Sequence, residues 1–299
     1  MNFTDFKISY EAGRSALWLD SEHIEGCLKH FRENAIDTLV IHTSRGFKAR
    51  DLSFLRDHPY VEDLEIVLPL RWPADAMDLT PLSALRSLKR LFLSDSAPID
   101  LTQFSELSCF RGVWHKDLLL NGCPLRELDL GKYRSKARDL MGLPPIPTLE
   151  TFHFVDSHIA SLNGLSGFPH LRHAEFAYLP KLESLRDVES LRELEFLTFN
   201  TCRKLRDHAV VGALQKLKIL RFNECGPIAT LSFLDSMPRL EEFRFIDTDV
   251  VDGDLHYLLR LACVAFTSKR HFSHKERDVP GCQGARWPSN EVLEADLKR

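Results

Sequence analysis

Residues 149–199 read LETFHFVDSHIASLNGLSGFPHLRHAEFAYLPKLESLRDVESLRELEFLTF, and two periods run through them. The first is long. A six-residue segment, apolar at its first, fourth and sixth positions, opens at Leu149 (LETFHF) and returns at Leu171 (LRHAEF) and Leu194 (LEFLTF). The second is short. Between these segments apolar residues fall at every third position: Ile159, Leu162, Leu165, Phe168, Leu171, then Leu179, Leu182, Leu185, Val188, Leu191. A period of three is neither the two of a strand nor the 3.6 of an α-helix. It suits tight 3₁₀-like turns, in which side chains at i and i+3 eclipse.

Outward from this stretch the long period persists. The segment recurs at Leu217 (LKILRF), Leu240 (LEEFRF) and Leu261 (LACVAF), so the steps from Leu149 are 22, 23, 23, 23 and 21 residues. Earlier instances begin at Ile36 (IDTLVI), Val61 (VEDLEI), Leu88 (LKRLFL) and Leu125 (LRELDL). Prolines at Pro59, Pro147, Pro169 and Pro238 precede segments by two residues and stiffen the turn into them. Self-similarity at a fixed period is the mark of a stacked repeat architecture.

On these L-x-x-L-x-L segments the chain resembles leucine-rich-repeat proteins of the internalin-like class, with repeats of about 22–23 residues. The resemblance covers residues 36–268. It implies an α/β repeat solenoid: a right-handed coil whose turns each add one short parallel strand to a concave sheet, with a 3₁₀ or irregular convex side and a cap at either end. The family's asparagine at the ninth position is replaced by Ser44, Ser96, Ser157, Cys202, Cys225 and Thr248, small groups able to bond the backbone inside the turn. Pro69, Tyr133 and Leu179 depart from the pattern, and local irregularity is expected there.

One continuous domain over 1–299 is expected: an N-terminal cap in 1–35, ten to eleven repeats in 36–268, and a C-terminal cap or tail in 269–299. Stacked repeats bury their core only against neighbours, which leaves no internal boundary. The pattern is weakest over 94–148. There FRGVWHKDLLLNGCP places only Phe110, Val113 and His115 where strand residues belong, which predicts a shortened or distorted turn around 110–118. LGKYRSKARDLMGLPPIP, rich in basic residues and prolines, predicts an exposed loop. At the start, FKISY and SALWL alternate as short strands, and Ser21 is expected to cap a helix with Ile24, Leu28 and Phe31 on one face. At the end, NEVLEADLKR predicts a short helix.

Composition narrows the function. With 44% hydrophobic and 27% charged residues the chain is ordinary for a folded domain. A formal charge of −4 disfavours nucleic acid, which rewards basic surfaces, although Lys269, Arg270, Lys275 and Arg277 form one basic edge. No apolar run reaches membrane-spanning length. The N-terminus does not read as a secretory signal, and seven cysteines, an odd count without C-x-x-C pairs, suit free thiols in a reducing compartment. A cytoplasmic location is expected, with no membrane or nucleic-acid partner, no cofactor, and a monomer favoured.

In each six-residue segment the first, fourth and sixth side chains point inward, and positions three, five, seven and eight line the open sheet. Position three gives Thr38, Asp63, Arg90, Glu127, Thr151, His173, Phe196, Ile219 and Glu242; position five gives Val40, Glu65, Phe92, Trp114, Asp129, His153, Glu175, Thr198, Arg221 and Arg244. The expected partner-binding residues are Phe92, Trp114, Asp129, His153, His173, Glu175, Tyr178, Phe196, Arg221 and Arg244. Aromatic and arginine anchors of this kind dominate protein interfaces, and mixed charge fits a protein surface better than a polyanion. The function expected is a non-catalytic scaffold for protein recognition, an adaptor or a toxin-neutralising inhibitor.

Motifs for catalysis are weak. GKYRS lacks the upstream glycine of a phosphate loop, and NGLSGF has Phe168 where a nucleophile elbow requires glycine. No catalytic or metal-ligating residue is therefore expected. The alternative is a metal-dependent or hydrolytic enzyme, using Cys263, His271, His274 and Cys282, which have the atoms but not the spacing of a zinc site, or the region of His153, His173 and Glu175.

Overall fold

A computed structural model describes residues 7–11, 13–49, 51–67 and 77–283. The expected helix at 290–299 and the irregularity at Pro69 lie outside these residues. The chain divides into two compact units, one of residues 1–133 and 143–153, the other of 134–142 and 154–299.

The first unit opens with a hairpin of β1 (Ile8–Glu11) and β2 (Arg14–Trp18), paired antiparallel. From β2 onward every rung is parallel: β3 (Thr38–His42), β4 (Asp63–Val67), β5 (Arg90–Leu93), β6 (Cys109–Val113) and β7 (Glu127–Gly131) follow in chain order. The coil therefore starts inside the segment expected to be only a cap, since Leu17 sits in register with Leu39 and is fully buried. Helix α1 (Ile24–Glu33) buries Cys27, Leu28 and Phe31, leaving Ile24 half-exposed. Ser21 does not cap it. His23 is the N-cap, while the Ser21 hydroxyl donates to Gly46 O at 3.3 Å and accepts the Lys48 N–H at 3.1 Å, tying the following turn.

The poorly patterned stretch contains a regular strand. β6 aligns Phe110 with Leu91 and Gly112 with Leu93, so its repeat begins at Leu107 and reads LSCFRG. A glycine replaces the sixth-position leucine because the Phe110 ring already fills that space; a Cβ on Gly112 would lie 2.7 Å from Phe110 Cζ. The repeats at Leu88 and Leu107 are shortened to 19 and 18 residues, and the irregularity lies in those lengths, with the strand itself intact. Tyr133 is fully buried against Trp114, ring centroids 4.8 Å apart.

The division between the units falls within β8 (Thr151–Val155). In the second unit β9 (His173–Ala177), β10 (Phe196–Asn200), β11 (Ile219–Asn223), β12 (Glu242–Phe245) and β13 (Cys263–Phe266) pair in parallel, in chain order. The period-three segments form 3₁₀ turns as expected, at Leu165–Gly167, Val188–Ser190, His208–Ala213, Ser232–Ser236 and His256–Arg260. Leu171, Leu182, Leu194, Leu217 and Leu220 are fully buried, as is Leu179, which departs from the motif without being exposed.

Regular spacing lets identical positions stack. Phe176, Phe199 and Phe222, all at position six, lie face to face at 5.3 and 5.4 Å. At the ninth position Cys202 Sγ, Cys225 Sγ and Thr248 Oγ1 donate to the position-six carbonyls of the preceding turn, Phe176 O, Phe199 O and Phe222 O, at 3.8, 3.5 and 2.7 Å. The hydrogen bond with the neighbouring Cys202 thiol, and then burial, push the Cys225 thiol upward. Ser96 instead donates to Trp114 O at 2.6 Å, and Ser44 turns out to solvent beside His42.

From Lys132 to Asp247 position eight has its own rule. Lys132, Asp156, Tyr178, Thr201, Glu224 and Asp247 all adopt left-handed backbone, φ +50 to +58°. Such a conformation costs roughly 1–2 kcal/mol for a residue with a Cβ. It is held by N–H groups of the same residues: those of Tyr178, Thr201 and Glu224 donate to Asn200 O, Asn223 O and Ile246 O at 2.8–2.9 Å.

Position two forms a ladder of exposed ion pairs: Lys89–Glu62 and Arg126–Glu150 in the first unit, Arg172–Glu195–Lys218 in the second. His208 is a titratable residue buried in a turn. It is 2% exposed, edge-on to Phe222 at 4.8 Å, and burial holds its pKa down to about 4.

After β13 the chain buries Phe272 and Val279, and α2 (Pro280–Gln283) closes the end of the core. Gly281 sits so near that a Cβ there would lie 2.6 Å from Leu261 O. This cap is more apolar than the polar tail expected.

Candidate partner-binding face

Positions three and five form two side-chain rows on the sheet, because strand residues two apart share a face and the parallel register repeats them rung by rung. In the first unit the rows run Thr38, Asp63, Arg90, Cys109, Glu127 and Val40, Glu65, Phe92, Arg111, Asp129. Arg111, not Trp114, occupies position five of β6. The missed shortening displaced the sequence reading by three residues, and Trp114 follows the strand, half-buried. Phe92 and Asp129 are in the row and half-buried.

The charges in these rows are organised. Asp63 takes Arg14 at 2.5 Å and Arg90 at 3.5 Å, and the Thr38 hydroxyl donates to it at 3.3 Å. Burial pushes the Asp63 carboxyl upward against the pull of the two guanidinium groups. Arg90 reaches Glu127 at 3.9 Å and Arg111 reaches Asp129 at 3.3 Å. Cys109, between these charges, has its thiol raised to about 12, by burial first and the Glu127 carboxylate second.

In the second unit the rows are His173, Phe196, Ile219, Glu242, Cys263 and Glu175, Thr198, Arg221, Arg244, Ala265. Here the expectation of exposed side chains needs correction. His173, Phe196, Thr198 and Arg244 are only 9, 8, 3 and 7% exposed. Rungs about 4.8 Å apart let long side chains lie over one another. The His173 ring stacks on Phe196 at 4.0 Å, and the Arg221 guanidinium lies over the same Phe196 ring at 5.1 Å. Glu242 holds Arg221 and Arg244 together, each Nε 2.7 Å from its Oε1. Glu175 stays half-buried, Arg221 keeps 14% of its side chain exposed, and Tyr178, at position eight, is 59% exposed. His153 on β8 is half-buried.

Position seven adds a polar line that the sequence reading did not single out. Asn223 Nδ2 donates to Asn200 Oδ1, and Asn200 Nδ2 donates to Glu175, both at 2.9 Å. The signal was present: asparagine ends two successive strands, at Asn200 and Asn223. Glu242 and Arg111 were also omitted from the expected contact set.

The residues of the enzymatic alternative are spent on structure at the C-terminus. Among the described residues Cys263, His271, His274 and Cys282 do not gather at metal-ligand distance. His271 Nε2 lies 3.0 Å from Val250 O, His274 Nδ1 contacts the Ser273 hydroxyl, and Cys263 Sγ faces Arg244. Burial raises the Cys282 thiol to about 11. The basic edge there is likewise engaged: Lys269 pairs with Asp249 at 3.0 Å, and Lys275 Nζ donates to the carbonyls of Lys269 and Arg270. The hollow lined by Ile66, Met77, Leu79 and Leu93 holds no more than a water.

Parallel rungs in register, 3₁₀ turns between them and a leucine ladder inside define the leucine-rich-repeat solenoid fold. Solved structures agree. An internalin (inlF) from Listeria monocytogenes str. 4b F2365 superimposes with a TM-score of 0.50 at 16% identity, over 85% of this chain and 67% of that one. A chain of the TLR13–ssRNA13 complex does so with a TM-score of 0.57, also at 16% identity, over 81% of this chain; the match spans only 38% of that chain's length. No protein-family model matches the sequence, and no curated protein is significantly similar to it. Among the described residues no helix is long and apolar enough to cross a membrane.

Proposed function

We propose that this chain is a recognition scaffold that binds a partner protein on the rows of positions three, five and eight of its sheet. The observation that supports it most directly is the locked cluster of the second unit. Arg221 is fixed between the Phe196 ring and Glu242 with 14% of its side chain still open to solvent, and Glu175 lies on the same row two rungs away. An arginine already immobilised loses little entropy on binding, which is how anchor residues reach high affinity. The scaffold is non-catalytic and takes no cofactor in this reading. An adaptor or a toxin-neutralising inhibitor is the role that fits it, and a cytoplasmic location agrees with seven free thiols.

The test compares affinity purifications with the wild type, Arg221→Glu, Glu175→Arg and a control far from the rows, the exposed Arg186→Glu. A stoichiometric protein recovered by the wild type and the control, and lost with both face variants, is the expected result. Recovery that is equal in all four, or no stoichiometric protein with any, would overturn the reading.

A further inference from the structure

Arg172, Lys204, Lys216 and Lys218 each face a glutamate, whereas Lys181, Arg186, Arg192, Arg206 and Arg239 stand singly along the repeats. What sets the loop that opens the second unit apart is that three such cations fall within five residues. Arg134, Lys136 and Arg138 are all exposed, and none takes part in an ion pair among the described residues. Two of them converge on the same imidazole-bearing residue: Arg134 Nη1 contacts His158 Nδ1, and Arg138 Nε donates to His158 O at 3.4 Å. The nearest acid in sequence, Asp139, is turned back onto the Met141 N–H at 3.2 Å.

This convergence of like charges is held rigidly. Arg138 has left-handed backbone, φ +58°, and its carbonyl accepts the N–H groups of Ala160 at 2.7 Å and Ser161 at 3.4 Å. Leu140 is fully buried and its N–H donates to Asn163 O at 2.9 Å. Gly164 packs so tightly on this loop that a Cβ would lie 2.7 Å from the Leu140 carbonyl carbon. The strained loop is thus over-determined by its surroundings, and Arg134 and Arg138, held on one residue without a counter-charge among the described residues, are preorganised for an anion.

We propose that Arg134, Lys136 and Arg138, with His158, form a docking surface for an acidic segment of a partner protein, a run of aspartate or glutamate side chains. Planar guanidinium groups match carboxylates in bidentate geometry. A nucleic acid fits less well: three cations in one loop give a short track, and the chain's −4 charge repels a polyanion beyond it. The surface is independent of the strand rows, so the two readings stand or fall separately.

The test is fluorescence anisotropy with labelled deca-glutamate, against the wild type and the triple variant Arg134→Gln/Lys136→Gln/Arg138→Asn, asparagine being chosen because it tolerates left-handed backbone. Binding at low salt that weakens at least about tenfold in the variant, and also on raising salt to about 0.2 M, is expected. Arg239→Glu, an exposed residue outside both the loop and the strand rows, should leave it unchanged. If the triple variant melts early, Lys136→Glu, whose side chain holds no loop contact, gives the same comparison. Equal affinity in wild type and variant, no binding at low salt, or tighter binding of deca-uridylate than of deca-glutamate would each overturn the proposal.

Discussion

The two compact units are built on one motif but obey it differently. In the first, the steps between repeats vary from 18 to 27 residues, and each rung solves its packing locally: Phe110 takes the room of a missing leucine, and Tyr133 is buried against Trp114. In the second the step stays within two residues of 23, so like stands on like. The phenylalanine stack, the Cys202–Cys225–Thr248 line of donors and the Asn200–Asn223 relay all occur there. A constant repeat length is what converts a position in the motif into a continuous column. Where the length drifts, the backbone still pairs and the columns are lost.

The largest test of that contrast is Phe199→Ala, which removes the middle ring of the stack. It should destabilise by roughly 3–5 kcal/mol in urea unfolding, as a cavity the flanking rings cannot fill. A loss below about 1 kcal/mol would show that the column relaxes freely.

Acid should also strike the second unit. His208 is buried neutral, with its pKa lowered from 6.5 to about 4. The unfolded chain binds the proton first as pH falls, so stability present above pH 6.5 is lost progressively down to pH 4, by roughly 3 kcal/mol. His208→Leu should flatten that pH profile; an unchanged slope would refute the assignment.

In the first unit Gly112→Leu restores the motif on paper and overpacks the protein, at a cost of roughly 1–3 kcal/mol. Adding Phe110→Leu should recover most of the loss, and failure to recover would place the constraint elsewhere. The smallest effect is expected at Thr198, whose buried hydroxyl has no hydrogen-bond partner among the described residues. Thr198→Val should raise stability by up to about 1 kcal/mol, seen as a higher melting temperature.

This contrast also explains what could be read in advance. Core residues from Leu149 onward, the 3₁₀ turns and the strand registers were legible because hydrophobic period and geometry coincide. The β6 rung was not, because Gly112 hides the sixth position and the flanking repeats are short. The strand positions of the rows were legible except on β6, where Arg111 stands in place of Trp114, and their openness in the second unit was overstated. Which of His173, Phe196 and Arg244 are covered depends on how long side chains fold across neighbouring strands, a tertiary matter that no single repeat encodes. Ser21 failed as a cap for a similar reason: the partner it found, Gly46, lies 25 residues away.

The alternation of charge at position two has a consequence for how such an array can change over generations. Arg172, Glu195, Lys218 and Glu241 read plus, minus, plus, minus. Loss or duplication of a single turn would set like against like at the splice, whereas loss or gain of two turns would keep every neighbour opposite. Each pair is surface-exposed and weighs at most about 1 kcal/mol. Over these four turns the order of charges would thus slightly favour a change by two turns over a change by one.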